Sequence, residues 1–294
     1  MAPIQHLGNI DKRKRTSQQV AFGFFSFLSY LVVVILFVIL GFIILKGASV
    51  ISWDFLTQAP QEGMTSGGIF PAIVGTLYLV IGSSLISFPI GIMSGIYMNE
   101  YATNGKLIRF IRIMTNNLSG VPSVVFGLFG MSLFVSTLGW GDSIIAGSFT
   151  LALMSLPLII RTTEEALKSI DDSFRHGSLA LGATKLQTIR RVVLPMAFPN
   201  TITGLILSIG RVSGETAPIL FTVAAYFLPQ LPKSIFDQCM ALPYHLYVIS
   251  TSGTDIEASR GMAYGTALVL IVIVLLVNLL ANALRSYFAK KVKM

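Results

Sequence analysis

The chain has 294 residues, of which 53% are hydrophobic and only 12% charged, with a mean hydropathy of +0.76. Soluble globular domains carry about 25% charged residues, so this balance excludes an ordinary soluble domain and points to an integral membrane protein. The 21 Lys and Arg against 13 Asp and Glu give a net charge of +8, but the basic residues are scattered between apolar runs; membrane topology accounts for them, and no nucleic-acid partner is called for.

In chain order, residues 1–19 make a polar N-terminal tail with the basic cluster Lys12 to Arg15, and 20–46 make a first transmembrane helix. Its apolar run far exceeds the roughly 7–15 residues of a secretory signal, and no small-residue cleavage site follows, so it is expected to stay attached. A crossing helix needs about 20 apolar residues. Further spans fall at 69–98, 113–137, 143–161, 200–225 and 263–286. The third and fifth of the six are weak, because Asn116, Asn117, Ser119 and Pro122 interrupt one and Arg211 and Glu215 the other.

Charge keeps both weak spans. Lys106, Arg109 and Arg112 lie in 99–112, six basic residues lie in 161–198, and Arg285, Lys290, Lys291 and Lys293 lie at the C-terminal end, whereas the alternate loops hold only Lys46, Lys233 and Arg260. The positive-inside rule then puts both termini, including the tail 289–294, in the cytoplasm. Dropping either weak span would move basic loops to the wrong side.

Enzyme chemistry finds no residues. The one Gly-Lys pair, Gly105-Lys106, is followed by Leu107 and has Glu100 where a phosphate-binding loop needs its first Gly, so the chain is not expected to hydrolyse ATP itself. Gly-x-Ser-x-Gly is absent. Cys239 stands alone, which excludes an intrachain disulfide and a cysteine metal site, and His6, His176 and His245 lie in three separate polar segments.

Residues 162–198 form a polar, basic loop with helical pattern of its own. Asp171, Asp172 and Ser173 are suited to cap a short helix over Phe174 to Leu181. Gly182 suits a left-handed C-cap, and a second helix carrying Leu186, Ile189, Val192 and Val193 on one side is expected to run to Pro195. Such a knob can seat in a groove of a cytoplasmic partner; the alternative is a solvated linker. Just before it, Arg161 with Glu164 and Glu165 ends the fourth span, either snorkelling to the interface or touching an anion at an exit. In the fifth span Arg211 falls near the expected middle, where a charge costs about 2.5–3.5 kcal/mol on insertion scales. Glu215 is one turn later, so the two can pair. Arg211 either lines a pathway and exchanges Glu215 for an oxyanion, or the pair fixes helix packing. The outer loop 226–262 has Pro229, Pro232 and Pro243, and its apolar stretch Ile235 to Leu246 fits an interfacial or re-entrant helix.

Several of these stretches resemble a known family. Gly182-Ala183 followed by Val192-x-Leu194-Pro195 is similar to the cytoplasmic EAA loop of type I ABC importer permeases. Asn117-Leu118-Ser119-Gly120-Val121-Pro122-Ser123, Gly210-Arg211-Val212-Ser213-Gly214-Glu215-Thr216-Ala217-Pro218 and Ala241-Leu242-Pro243-Tyr244-His245-Leu246-Tyr247 resemble the permease subunits of its phosphate importers. The sequence departs from the loop motif in having His176-Gly177-Ser178 where the family has Glu-Ala-Ala, and Val192 for Ile.

The resemblance implies an all-α integral membrane fold of six transmembrane helices, with a permease core over 65–288 and a coupling-helix loop. It implies that Asp172, Ser173, Phe174, Arg175, His176, Gly177, Ser178, Gly182, Ala183, Leu194 and Pro195 serve ATPase coupling, and that Arg211, Glu215, Arg161 and Thr216 belong to the substrate pathway. It implies no catalytic residue, no metal and no directly bound cofactor, with ATP and Mg used by partner ATPase subunits. The partners expected are a homologous phosphate permease, an ABC ATPase dimer, an extracytoplasmic phosphate-binding protein and the lipid of a bacterial inner membrane. Another oxyanion such as sulfate or molybdate, or an accessory sensory role, are the alternatives; a sensor would not need a coupling helix.

Overall fold

The structure is a computed structural model that describes residues 4–102, 105–252 and 255–292. Residues 1–3 of the N-terminal tail and 293–294 of the C-terminal one lie outside the described residues, as do 103–104 and 253–254.

The first helix, α1 (Ile4–Gly47), already begins within the polar tail. A short helix α2 (Trp53–Thr57) follows, capped by the Ser52 hydroxyl accepting from the Phe55 amide at 3.1 Å, and then a two-residue hairpin pairs Pro60–Gln61 with Ser66–Gly67. Pro71 in the first turn starts α3 (Phe70–Ile96), a position where a missing N–H costs nothing. The helix continues as a π-helical turn, Tyr97–Tyr101.

Next come α4 (Lys106–Leu118), α5 (Ser123–Gly130), which continues as a π-helical segment Met131–Thr137, and α6 (Ile144–Lys168), started by the Ser143 side chain accepting from the Ala146 amide. They are followed by α7 (Asp172–Ala180) and by α8 (Lys185–Thr188), which runs through the π turn Ile189–Val193 into α9 (Leu194–Val212). The chain closes with α10 (Ala217–Leu220), α11 (Leu242–Thr251) and α12 (Ile256–Val292).

Among the described residues five helical stretches are long and apolar enough to cross a membrane: Ser17–Gly47, Phe70–Tyr101, Ile144–Lys168, Lys185–Val212 and Ile256–Lys290. The third expected span, 113–137, is not one helix. It is a bent pair, α4 and α5, turning by 105° across the break. Pro122 lacks an amide proton and biases Val121 away from helical geometry, and Ser119-Gly120 supplies the turn. The fifth expected span, 200–225, is shifted: its helix starts at Lys185, inside the expected polar loop 162–198, and ends at Val212. Arg211 therefore occupies the last helical turn, not the middle of a span. Pro195 does not stop the second loop helix as its chemistry suggests. The π turn ahead of it has the Leu194 amide reach back to the Ile189 carbonyl, and the widened turn precedes the proline, which then sits in the first turn of α9. The helix expected in the 226–262 loop falls at Leu242–Thr251, overlapping only the end of the apolar stretch Ile235 to Leu246 that suggested it, with Pro243 in its first turn.

The core lies between α3, α6 and α9. Leu79 and Val80, Leu151 and Met154, and Ile209 and Val212 meet there, joined by Ile219 and Val223. Small residues bring α3 and α6 together: a Cβ on Gly91 would sit 2.9 Å from the Ile159 Cβ, and one on Gly95 only 2.7 Å from the Thr163 Cβ and Cγ2. Such close backbone approach replaces the hydrophobic drive that lipid cannot supply. A second cluster, around Phe55, Met64, Ile69, Leu242, Ile249 and Met262, closes one end. A third, Ala166, Leu167, Val193 and Ala197, closes the end that carries α7.

Candidate functional site

Two regions hold the residues singled out from sequence. The first is the knob formed by α7 and α8. Asp171 Oδ1 accepts from the Ser173 amide at 2.8 Å, and hydrogen bonding to Ser173, through its side chain first and its amide second, holds the Asp171 carboxyl below its ordinary range. Asp172, Ser173 and Phe174 make the first turn. At the other end Gly182 has φ +83°, the Gly182 amide donates to Leu179 and the Ala183 amide to Ser178. That is a Schellman cap, for which a left-handed glycine is the natural residue. The next helix opens with a capping box between Thr184 and Gln187. Ser178 Oγ lies 2.9 Å from Thr188 Oγ1 and ties the two short helices into one body.

None of the α7 residues is buried. His176 and Gly177, at the positions that depart from the family motif, are exposed, and a Cβ on Gly177 would meet nothing. Phe174, Leu179, Leu181 and Leu186 are exposed too, Leu181 at 90%. Exposed apolar side chains on a polar knob form the kind of surface that another protein or a membrane can cover. Leu194 is half-buried and Pro195 exposed, one turn beyond the knob.

The second region is where α5 and α10, the helices that follow the two breaks, meet. After Val212 the chain unwinds through Ser213 to Thr216, and Ala217-Pro218 comes to rest on α5: a Cβ on Gly127 would be 2.9 Å from the Ala217 carbonyl and 3.0 Å from the Pro218 Cα. Irregular backbone within a membrane is tolerated where protein buries it or water reaches it, and facing broken helices are how transporters build polar sites. Arg211 Nε pairs with Glu215 Oε1 at 3.3 Å, with side chains 39% and 17% exposed. Among the described residues the two Nη groups of Arg211 have no partner. Thr216 precedes α10, where its carbonyl accepts from the Leu220 amide, and it makes no bond to Arg211.

Arg161 is not gathered with Arg211. Its Nε pairs with Glu165 at 3.0 Å on an exposed turn, at the edge of a cleft of about 220 Å3 lined by Arg112, Asn116, Glu164 and Lys168 among others. Arg112 Nη2 and Lys168 Nζ both reach Glu164 Oε1, at 2.8 and 3.0 Å. Sequence pattern did not mark Arg112 or Lys168. Nor did it mark Glu100, a buried carboxylate bound to Arg175 at 2.8 Å. The available signal was that Glu100 is the only acid in the basic stretch 99–112. Among the described residues no group of three or more His, Cys, Asp or Glu could hold a metal ion.

Residues 87–294 match the family described as binding-protein-dependent transport system inner membrane component. The chain is 35% identical over 290 residues to the probable ABC transporter permease protein YqgI of Bacillus subtilis, covering 95% of this chain and 98% of that one. It is 36% identical over 282 residues to the phosphate transport system permease protein PstA of Mycobacterium leprae, covering 94% and 91%. Among solved structures, a bacterial ABC transporter involved in the import of alginate superposes with a TM-score of 0.65 at 16% identity, over 93% of this chain and 99% of that one. At that identity the likeness speaks for the fold.

Proposed function

The chain belongs to the binding-protein-dependent transport system inner membrane components, and on that premise we propose that it is the permease subunit of an ATP-driven importer of inorganic phosphate. The observation that carries the substrate is the relationship to phosphate permeases over nearly the whole chain. The contact of α5 with α10, with Arg211 in the last turn before the second break, agrees with it. Phosphate is an oxyanion, and a guanidinium offers it two parallel N–H donors. Arg211 engages Glu215 through Nε and leaves its Nη edge open, so an anion can be taken up with little rearrangement. Glu215 neutralises the arginine while the site is empty.

The subunit works with an ATPase and a substrate-binding protein. In this reading the partners are a homologous phosphate permease, an ABC ATPase dimer on the cytoplasmic side and an extracytoplasmic phosphate-binding protein on the other. Both termini and the 162–198 loop are cytoplasmic, as the basic residues require. ATP and Mg are held by the ATPase subunits. The exposed apolar residues Phe174, Leu179 and Leu181 seat in the ATPase surface, and closure of the ATPase dimer moves α7 and α8 and with them the inner ends of the spans. Arg161, beside the Arg112–Glu164–Lys168 cluster, stands where a released anion leaves.

The test is ATP-dependent phosphate uptake into proteoliposomes holding this chain with its co-purifying subunits and binding protein, with sulfate and molybdate as competitors. Uptake blocked only by phosphate and its close analogues is expected. An intact complex that hydrolyses ATP but takes up sulfate or molybdate instead overturns the substrate.

A further inference from the structure

The knob that α7 and α8 form has little apolar attachment, since no α7 residue is buried. While α8 runs on into α9, what ties α7 to the inner ends of α3 and α6 is one guanidinium. Arg175 Nη2 donates to Glu100 Oε1 at 2.8 Å and Nε to both Glu100 oxygens at 3.3 and 3.4 Å. The same Nη2 donates to the Leu167 carbonyl and Nη1 to the Ile170 carbonyl, each at 2.8 Å, and Nη1 also meets Asp172 Oδ1 at 3.0 Å. Leu167 and Ile170 close the C-terminal end of α6, where unpaired carbonyls and the helix dipole favour a cation. Glu100 belongs to the π turn that ends α3, and its Oε1 also accepts from Asn99 Nδ2 at 2.8 Å. The side chains are 15% and 7% exposed. A second contact follows the same route: Lys185 Nζ of α8 lies 5.0 Å from the centre of the Tyr101 ring, next to Glu100.

We propose that the Arg175–Glu100 pair is the joint that delivers movement of the knob to the inner ends of α3 and α6, so that Glu100 and Arg175 position the permease core without touching substrate or the ATPase. The proposal rests on the reading of 162–198 as the ATPase-coupling loop. It assigns Arg175 a role within the chain, where sequence resemblance had placed it on the ATPase contact. One planar fork reaches four acceptors drawn from α3, α6 and α7, a geometry that a lysine cannot reproduce. Since α3 and α6 pack along their length through glycine contacts, a pull on their inner ends moves both as a unit.

The experiment uses the full complex in proteoliposomes and reads three quantities: capture of the ATPase, ATP hydrolysis with and without loaded binding protein, and phosphate taken up per ATP. Glu100→Gln and Arg175→Lys should keep ATPase capture and basal hydrolysis within about twofold, yet lose most of the stimulation by binding protein and at least tenfold in uptake per ATP. The charge exchange, Glu100→Arg with Arg175→Glu, should recover at least fivefold over either single reversal. A coupling ratio within twofold of the parent in Glu100→Gln, or an exchange no better than the worse single variant, overturns the joint. Should a single variant fail to assemble, trypsin cleavage at Lys185, Arg190 and Arg191 in intact membranes decides: faster cutting in the single reversals, restored by the exchange, supports the joint, and unchanged cutting overturns it. A parent complex that hydrolyses ATP on binding-protein stimulation but moves no phosphate fails the substrate reading alone, because stimulation still reads the joint. A parent chain that captures no ATPase fails the coupling reading and the joint with it.

Discussion

Replacing Arg211 by Gln removes the charge while keeping two amide donors. Arg211 has one modest ion pair, Nε to Glu215 at 3.3 Å, and is 39% exposed at the end of α9. A hydrogen bond to a charged group is worth about 1.5–3 kcal/mol, and each 1.4 kcal/mol is about tenfold. If Arg211 makes one such bond to the anion, Arg211→Gln should lower uptake at sub-saturating phosphate by about 10- to 150-fold. Assembly should survive, since Arg211 sits partly exposed in the last turn of α9, and the Glu215 left behind is itself in partial contact with solvent. The companion Glu215→Gln frees the arginine and should leave phosphate capture intact. The assay is labelled phosphate uptake into proteoliposomes alongside ATPase co-purification. Uptake by Arg211→Gln within threefold of the parent refutes the pathway role, and loss of the complex instead assigns the pair to helix packing.

Three further outcomes are expected. Gly182 has φ +83° and open space around its missing Cβ, so Gly182→Ala carries only the backbone penalty of about 1 kcal/mol; amide exchange across 172–180 should quicken roughly fivefold, with Gly182→Asn milder. Gly95→Val puts methyl groups into Thr163 and the Ile160 carbonyl, an overpacking worth about 1–3 kcal/mol, and should lower the thermal midpoint of the purified chain; an unchanged midpoint contradicts the seam. Leu181→Asp, at a side chain 90% exposed, should leave the chain's own stability alone and weaken ATPase capture by about 5- to 30-fold, as losing a 1–2 kcal/mol contact residue does; equal capture in a titration would remove Leu181 from the docking surface.

The helix caps were legible because they are local: Asp171 and Gly182 do what a carboxylate before a helix and a glycine after one must do. The two weak spans were legible only as weakness. Asn116 to Pro122 and Gly210 to Pro218 lower hydropathy, yet hydropathy averages over a window and cannot separate a polar helix from a broken one. That the helices just past the two breaks touch, Gly127 of α5 against Ala217-Pro218 of α10, is a fact of packing between segments some ninety residues apart. Pro195 misled for a different reason: its rule assumes α-helical spacing, and the π turn Ile189–Val193 changes that spacing one residue ahead of it. Glu100 was out of reach. Its partner lies 75 residues away, and nothing in the local pattern of either residue names the other.

The first helix has its own consequence. The apolar stretch 17–47 has none of its most apolar window buried inside the chain, and it meets the rest near its C-terminal end, where Phe42 packs edge-on to Tyr264 and Gly47 lies against the Tyr264 carbonyl. The family match also begins beyond it, at residue 87. Over that window the helix is apolar on every side and offers its circumference to lipid or to a neighbouring subunit. Loss of this helix should therefore spare the remaining bundle and be felt between molecules, in how firmly the subunit is retained by its membrane and its companions.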